Sequence, residues 1–149
     1  MPFTYSRTIH FRDTDAAGVV YFAEMLNFCH EAYEASLAAA GIDLGAFFGG
    51  GAIAVPIVHA EVDFRRPLRC GDRVVIHLQA QATGADGFEL QYRLTAEAGK
   101  VVATALTRHV SIDAATRQRS PLPPALQSWL QAVAAMADAP APTSAAPPD

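Results

Sequence analysis

"FAEMLNFCHEAYEASLAAAG", residues 22–41, is the stretch on which the fold turns. Phe22, Leu26, Cys29, Tyr33, Leu37 and Ala40 recur at steps of three or four, the repeat of one helix face. Glu24, Asn27, Glu31 and Glu34 occupy another face at the same period. Gly41 then offers the left-handed conformation with which helices commonly stop. The spacing predicts one long amphipathic helix.

Around that helix the pattern changes to strands. Residues 3–11, "FTYSRTIHF", are aromatic and β-branched enough for a first strand. In "AIAVPIVHAEVDF", residues 52–64, Val58, Ala60, Val62 and Phe64 alternate with His59, Glu61 and Asp63. "DRVVIHLQAQAT" (72–83) and "GFELQYRLTAEA" (87–98) alternate in the same way, and "KVVATALTRHVSI" (100–112) is a fourth run. The breaks "RCGD", "GADG" and "EAGK" look like hairpin turns, which implies an antiparallel meander. The apolar face of that sheet must be covered. The simplest architecture is α+β: an antiparallel sheet of about five strands wrapped around one long central helix. "PLPPALQSWLQAVAAMA", residues 121–137, adds a short C-terminal helix from near Pro124. Residues 1–137 are expected to form one domain, and the Pro/Ala-rich stretch 138–149 a disordered tail with nothing to bury.

Composition narrows the function. The chain has 149 residues, 51% hydrophobic, enough for one sizeable core. Eleven Lys plus Arg stand against 15 Asp plus Glu, giving a net charge of −4 and no basic stripe for nucleic acid. No apolar run approaches the roughly 20 residues of a membrane span, and the N-terminus lacks a signal-peptide pattern. Cys29 and Cys70 fit no metal or redox spacing. A reduced, cytoplasmic protein is expected.

"RDTDAAGVVYF", residues 12–22, carries the candidate chemistry and admits two readings. Asp13, Thr14 or Asp15 is a good N-cap for the helix that follows, with Gly18 easing the turn. Alternatively, the unpaired N–H groups and partial positive charge of that helix N-terminus polarise a carbonyl. A carboxylate beside them, Asp15, then acts as nucleophile or as base for a water. Spacing alone leaves both open.

The segment "FRDTDAAGVVYFAEMLNFCHEAYEASL", residues 11–37, resembles the active-site region of the hotdog-fold acyl-CoA thioesterases of the 4-hydroxybenzoyl-CoA thioesterase type. Asp15, Gly18, Val20, Tyr21 and Phe22 stand in the family's pattern, and within the family the stretch is most similar to the 1,4-dihydroxy-2-naphthoyl-CoA thioesterases of quinone biosynthesis. The resemblance implies hydrolysis of an aromatic acyl-CoA without a cofactor or metal. Asp15 matches the catalytic aspartate, and the Phe22 N–H, helped near Gly18, the group that polarises the carbonyl. It also implies a homo-oligomer, at least a dimer and by family habit a tetramer, with sites built partly from the partner chain.

Tyr21, Glu31, Phe47, Phe48 and His59 are candidates to line the acyl pocket. The two phenylalanines sit in the glycine-rich loop "IDLGAFFGGG" (42–51), which reads either as a connector or as one wall of a pocket. In some family members basic residues near the turn between central strands hold the CoA phosphates. Here that turn is "TGADGF", so Arg65, Arg66, Arg69 and Arg73 are the alternatives, unless they form an ordinary solvated cluster. "HEAYE" (30–34) lacks the second histidine of a zincin helix. His10, His59, His77 and His109 fit structural or solvated roles. The His-Pro-rich segment of hotdog dehydratases is missing, and a non-catalytic acyl-binding module remains the rival of another class, for which Asp15 would serve no purpose.

Overall fold

The computed structural model describes residues 2–138. Residues 139–149 of the expected tail lie outside them, and Asp138, its expected first residue, is helical. Five strands make the main sheet: β1 (Phe3–Thr8), β3 (Ile57–Phe64), β4 (Arg73–Gly84), β5 (Gly87–Thr95) and β6 (Val101–Val110). Their spatial order is β1-β4-β5-β6-β3 with every neighbouring pair antiparallel. Two short strands, β2 (Ile53–Ala54) and β7 (Ile112–Asp113), pair separately. Among the described residues three α-helices accompany them: α1 (Glu24–Ala39), α2 (Leu44–Phe48) and α3 (Pro124–Asp138).

The meander holds from β4 to β6 and fails between β3 and β4. Those two strands are separated in the sheet by β5 and β6, so residues 65–72 form a crossover and "RCGD" is not a hairpin turn. Leu68, buried in this crossover, accepts the Val20 N–H at 2.8 Å, while Ile9 exchanges backbone bonds with Gly71 and Asp72. The crossover thereby braces the segment that leads from β1 into α1.

The inner face of the sheet buries Val74, Ile76 and Leu78 of β4 and Phe88, Leu90, Tyr92 and Leu94 of β5, in the phase that alternation predicts. Against it α1 lays Met25, Phe28, Cys29, Ala32, Tyr33, Ser36 and Leu37. This stripe runs at steps of three, one, three, one, a broader face than the one read from sequence. Cys29, Tyr33 and Leu37 lie on it as expected, whereas Phe22 and Ala40 are exposed and Leu26 is half-buried. Phe22 and Ala40 miss the stripe because they lie outside α1, whose helical residues begin at Glu24 and end at Ala39. Each fully buried side chain such as Phe28 or Leu37 contributes about 1.5–3 kcal/mol. Gly41, at φ +81°, closes α1: its N–H reaches Ala38 O and the Ile42 N–H reaches Leu37 O.

The C-terminal helix takes a larger share of the core than its shortness suggested. α3 buries Leu126, Trp129, Leu130 and Val133, and the Trp129 indole N–H donates to Ser36 Oγ at 3.1 Å, joining α3 to α1. β3 is left uncovered: Ile57, Val58 and Phe64 are exposed, so the helices cover the sheet only as far as β6.

Two polar groups stand on the inner face of β6. His109 stacks on Phe88 with ring centroids 4.6 Å apart, and its Nε2 lies 2.8 Å from Thr107 Oγ1. Burial, with a smaller push from His30, lowers the His109 pKa from 6.5 to about 4. Between those two pH values the unfolded chain holds the extra proton, so stability falls as pH drops from about 6.5 to 4. At most about 3 kcal/mol is at stake. Urea unfolding across that range should show this loss in the wild type and a much flatter profile in His109→Phe.

Candidate active site

The segment between β1 and α1 is built as a hairpin on a clamped base. Asp15 N–H donates to Val19 O and Gly18 N–H to Asp15 O, both at 2.9 Å, with Gly18 at φ +77°. This is the three-residue loop that requires a left-handed residue at its last position, which is why a glycine stands there. Thr14 and Val20 form the bridge that closes the arms, and the Tyr21 N–H donates to Asp13 O at 2.9 Å.

The three polar residues of "DTD" do different work, and none caps α1. Asp13 is buried and accepts the His10 N–H at 2.8 Å. Thr14 Oγ1 donates to Phe11 O at 2.6 Å. Asp15 is exposed, and its carboxylate accepts the Ala17 N–H at 2.9 Å. The N-cap of α1 is Ala23, which has no side chain to offer. The first turn is closed by Glu24 N–H to Tyr21 O and Met25 N–H to Phe22 O. The N–H groups of Phe22 and Ala23 have no hydrogen-bond partner among the described residues. They are the open donors that a helix N-terminus must leave. Asp15 sits on one arm of the hairpin, and the other arm runs straight into those donors.

Aromatic side chains crowd this end of the molecule. Phe22 is 61% exposed, its ring edge-on to Tyr21 at 5.0 Å and to Phe64 of β3 at 6.4 Å. Tyr21 is also exposed, so it is not a core residue.

Sequence reasoning missed Arg7. It follows Phe3 and Tyr5 on the inward phase of β1, and a basic residue on that phase is itself a signal of a buried ion pair. Its Nη1 lies 3.1 Å from Asp13 Oδ2, its Nε 3.1 Å from Glu31 Oε2, and its guanidinium stands 4.0 Å over the Phe28 ring. The two ionic contacts are charge approaches rather than aligned hydrogen bonds. Burial, then the neighbouring Asp13 and Glu34 charges, raise the Glu31 pKa, and Arg7 opposes the shift.

The remaining candidates lie elsewhere in the same chain. Phe47 and Phe48 are on α2, where Phe48 approaches His30 and Tyr33 with centroids 5.7 and 6.3 Å away. His30 is eight residues beyond Phe22, about 12 Å along the helix. The 42–51 loop is thus a short helix, capped by Asp43, that walls a groove of about 250 Å³ with Ile53, Ala54 and Pro56. His59 is on the outer face of β3, 3.8 Å from Glu61. Arg65 and Arg66 share a surface groove with Lys100, a third cation that sequence reasoning passed over. Arg69 is exposed in the crossover, where its backbone N–H donates to Asp72 Oδ2. The "TGADGF" turn is tied down by the Ser111 N–H on Asp86 O and the Leu122 N–H on Ala85 O. His30 pairs with Glu34 at 3.1 Å, and no group of three or more metal-ligating side chains gathers among the described residues. No helix among them is long and apolar enough to cross a membrane.

Residues 9–130 match the Thioesterase-like superfamily. A 1,4-dihydroxy-2-naphthoyl-CoA hydrolase from Synechococcus elongatus is 56% identical over 133 residues, covering 89% of this chain and 97% of that protein. Its counterpart in Nostoc punctiforme is 53% identical over 131 residues, covering 88% of each. Among solved structures, that of a 1,4-dihydroxy-2-naphthoyl-CoA thioesterase from Synechocystis has a TM-score of 0.84 at 39% identity, covering 88% of this chain and 96% of the other. With the helix-wrapped sheet, the Asp15 hairpin and the open start of α1 all in place, the chain belongs to the Thioesterase-like superfamily.

Proposed function

We propose that this protein hydrolyses the thioester of an aromatic acyl-CoA, with 1,4-dihydroxy-2-naphthoyl-CoA as substrate, releasing 1,4-dihydroxy-2-naphthoate and CoA. One observation carries the chemistry: an exposed carboxylate, Asp15, on a hairpin that leads directly into the unpartnered N–H groups of Phe22 and Ala23. The names of the relatives support the choice of acyl group.

In this scheme the thioester carbonyl oxygen accepts the Phe22 N–H, and the helix dipole draws electron density towards it. Asp15 attacks the carbonyl carbon, the negative charge collects on that oxygen, and the C–S bond then breaks. CoA leaves as a thiolate, a good leaving group that needs no strong general acid. Water then opens the mixed anhydride. In the variant route Asp15 takes a proton from a water that attacks directly. Either route consumes one water and needs no cofactor. Gly18 lets the hairpin close behind the reacting group, and Tyr21 and Phe22 provide flat apolar surface for an aromatic ring.

A second copy of the chain completes the site in this account. β3 is an edge strand on which Ile57, Val58 and Phe64 are exposed, Phe64 against Phe22. Pairing two β3 edges would cover them. It would also let Phe47, Phe48 and His59 of one protomer serve the Asp15 of the other, which they do not approach in their own chain. Two such dimers would give the tetramer. Arg65 and Arg66, with Lys100 beside them, and Arg69 are the cations available to the CoA phosphates. The two free cysteines suit a cytoplasmic setting.

Steady-state hydrolysis of naphthoyl-, benzoyl-, phenylacetyl- and fatty-acyl-CoA tests the reaction. Asp15→Asn should remain folded and lose about 10²-fold or more in kcat. Near-normal turnover would refute the mechanism, and a folded protein that binds acyl-CoA without hydrolysing it would make the chain an acyl-binding module. Preference for fatty acyl-CoA by orders of magnitude would overturn the aromatic assignment alone. For the assembly, Val58→Asp should convert a dimer or larger species to monomer in light scattering and abolish activity. An active monomer would contradict the shared site.

A further inference from the structure

We propose that Arg7 is a positioning residue for this reaction, setting the distance between the Asp15 carboxylate and the Phe22 N–H; the proposal rests on the hydrolytic function above. Its warrant is the place of Arg7 among three separate elements. From β1 it contacts Asp13 at the base of the catalytic hairpin and Glu31 on the body of α1, both at 3.1 Å. Asp13 in turn holds both ends of the segment it anchors, its carboxylate taking the His10 N–H and its carbonyl the Tyr21 N–H. One bond beyond Tyr21 is the Phe22 N–H, and two residues after Asp13 is Asp15.

The packing makes this a defined position rather than a loose surface pair. The Arg7 and Asp13 side chains are 8% and 6% exposed, and Phe28 supports the guanidinium plane from below. Glu31, more open, fixes the other side of the fork from a helix that the core already holds rigid. The second arm is tied to α1 by the chain itself and by the Glu24 and Met25 N–H bonds to Tyr21 O and Phe22 O, whereas the arm that carries Asp13 and Asp15 meets the body of the helix through Arg7. In this proposal, without the Arg7 link the first arm, with Asp15, shifts against the helix while the second arm stays with it. An error of about 1 Å between reacting groups costs on the order of 10²-fold in rate.

The charge also sets the two aspartates apart in this proposal. Arg7 engages Asp13, while Asp15, two residues on, has only the Ala17 N–H for company.

A double-mutant cycle in kcat on the preferred acyl-CoA tests the role. Arg7→Lys keeps the positive charge but has a single ammonium in place of the fork. It should fold, lower kcat by about 10- to 100-fold and leave KM within about threefold. Combined with Asp15→Asn it should be no slower than Asp15→Asn alone, since positioning has nothing left to act on. A purely structural Arg7 would slow both backgrounds alike or change only the folded fraction. If Arg7→Lys does not fold, Asp13→Asn, which keeps the shape and both backbone hydrogen bonds, should give the same cycle. Wild-type kcat in either folded variant, or losses that multiply with Asp15→Asn, overturn the proposal for Arg7 while a slow Asp15→Asn leaves the hydrolytic function standing. A fast Asp15→Asn removes both.

Discussion

A helix cannot pair its own first N–H groups, and the rest of this structure is arranged around where α1 leaves them. The body of α1 is fixed by a continuous stripe from Met25 to Leu37 against the sheet, with Trp129 of α3 bonded to Ser36 within that stripe. That burial decides where the N-terminus sits: beyond the covered core, among the exposed Tyr21, Phe22 and Phe64 rings. The donors of Phe22 and Ala23 are therefore held by a rigid element yet open to a ligand. A rigid helix end can polarise a carbonyl without reorganising at the moment of reaction.

The preceding segment shows how two aspartates, two residues apart, come to have unlike environments. Gly18 closes a tight hairpin, so the carboxylate of Asp15 turns outward. The base of the hairpin turns inward, so Asp13 meets Arg7 and is spent on structure. An uncompensated buried carboxylate would be costly to the fold. Arg7 supplies the compensation from the neighbouring strand, and Glu31 shares it from α1.

Much of the architecture was legible because it follows from period. β5 reads as Phe88, Leu90, Tyr92 and Leu94 in, Glu89, Gln91, Arg93 and Thr95 out, and the structure agrees except at Thr95, which is buried with its hydroxyl against His77. The long helix and its Gly41 stop were equally plain. The crossover was not, since "RCGD" has the composition of a hairpin turn and only the pairing of β4 with β1 and β5 reveals otherwise. Nor was the uncovered face of β3, whose alternation looks the same whether a helix or a second chain lies over it. At the site, the motif located Asp15 and Phe22, but spacing could not say whether Asp13, Thr14 or Asp15 capped the helix. The backbone resolves that: each is engaged locally, and α1 begins on an alanine. Arg7 was visible in principle, as a charge on the inward phase of β1, and its partners were not, because they come from two other elements.

The central claim is that the N-terminus of α1 grips the carbonyl of a bound thioester. Isotope-edited infrared difference spectroscopy measures that directly, using acyl-CoA carrying carbon-13 at the thioester carbonyl, bound to Asp15→Asn so that turnover is suppressed. The account predicts a carbonyl stretch moved to lower frequency than in free acyl-CoA, the mark of an oxygen polarised by the Phe22 N–H and the helix dipole. A bound thioester whose carbonyl band stays at its solution frequency would contradict it.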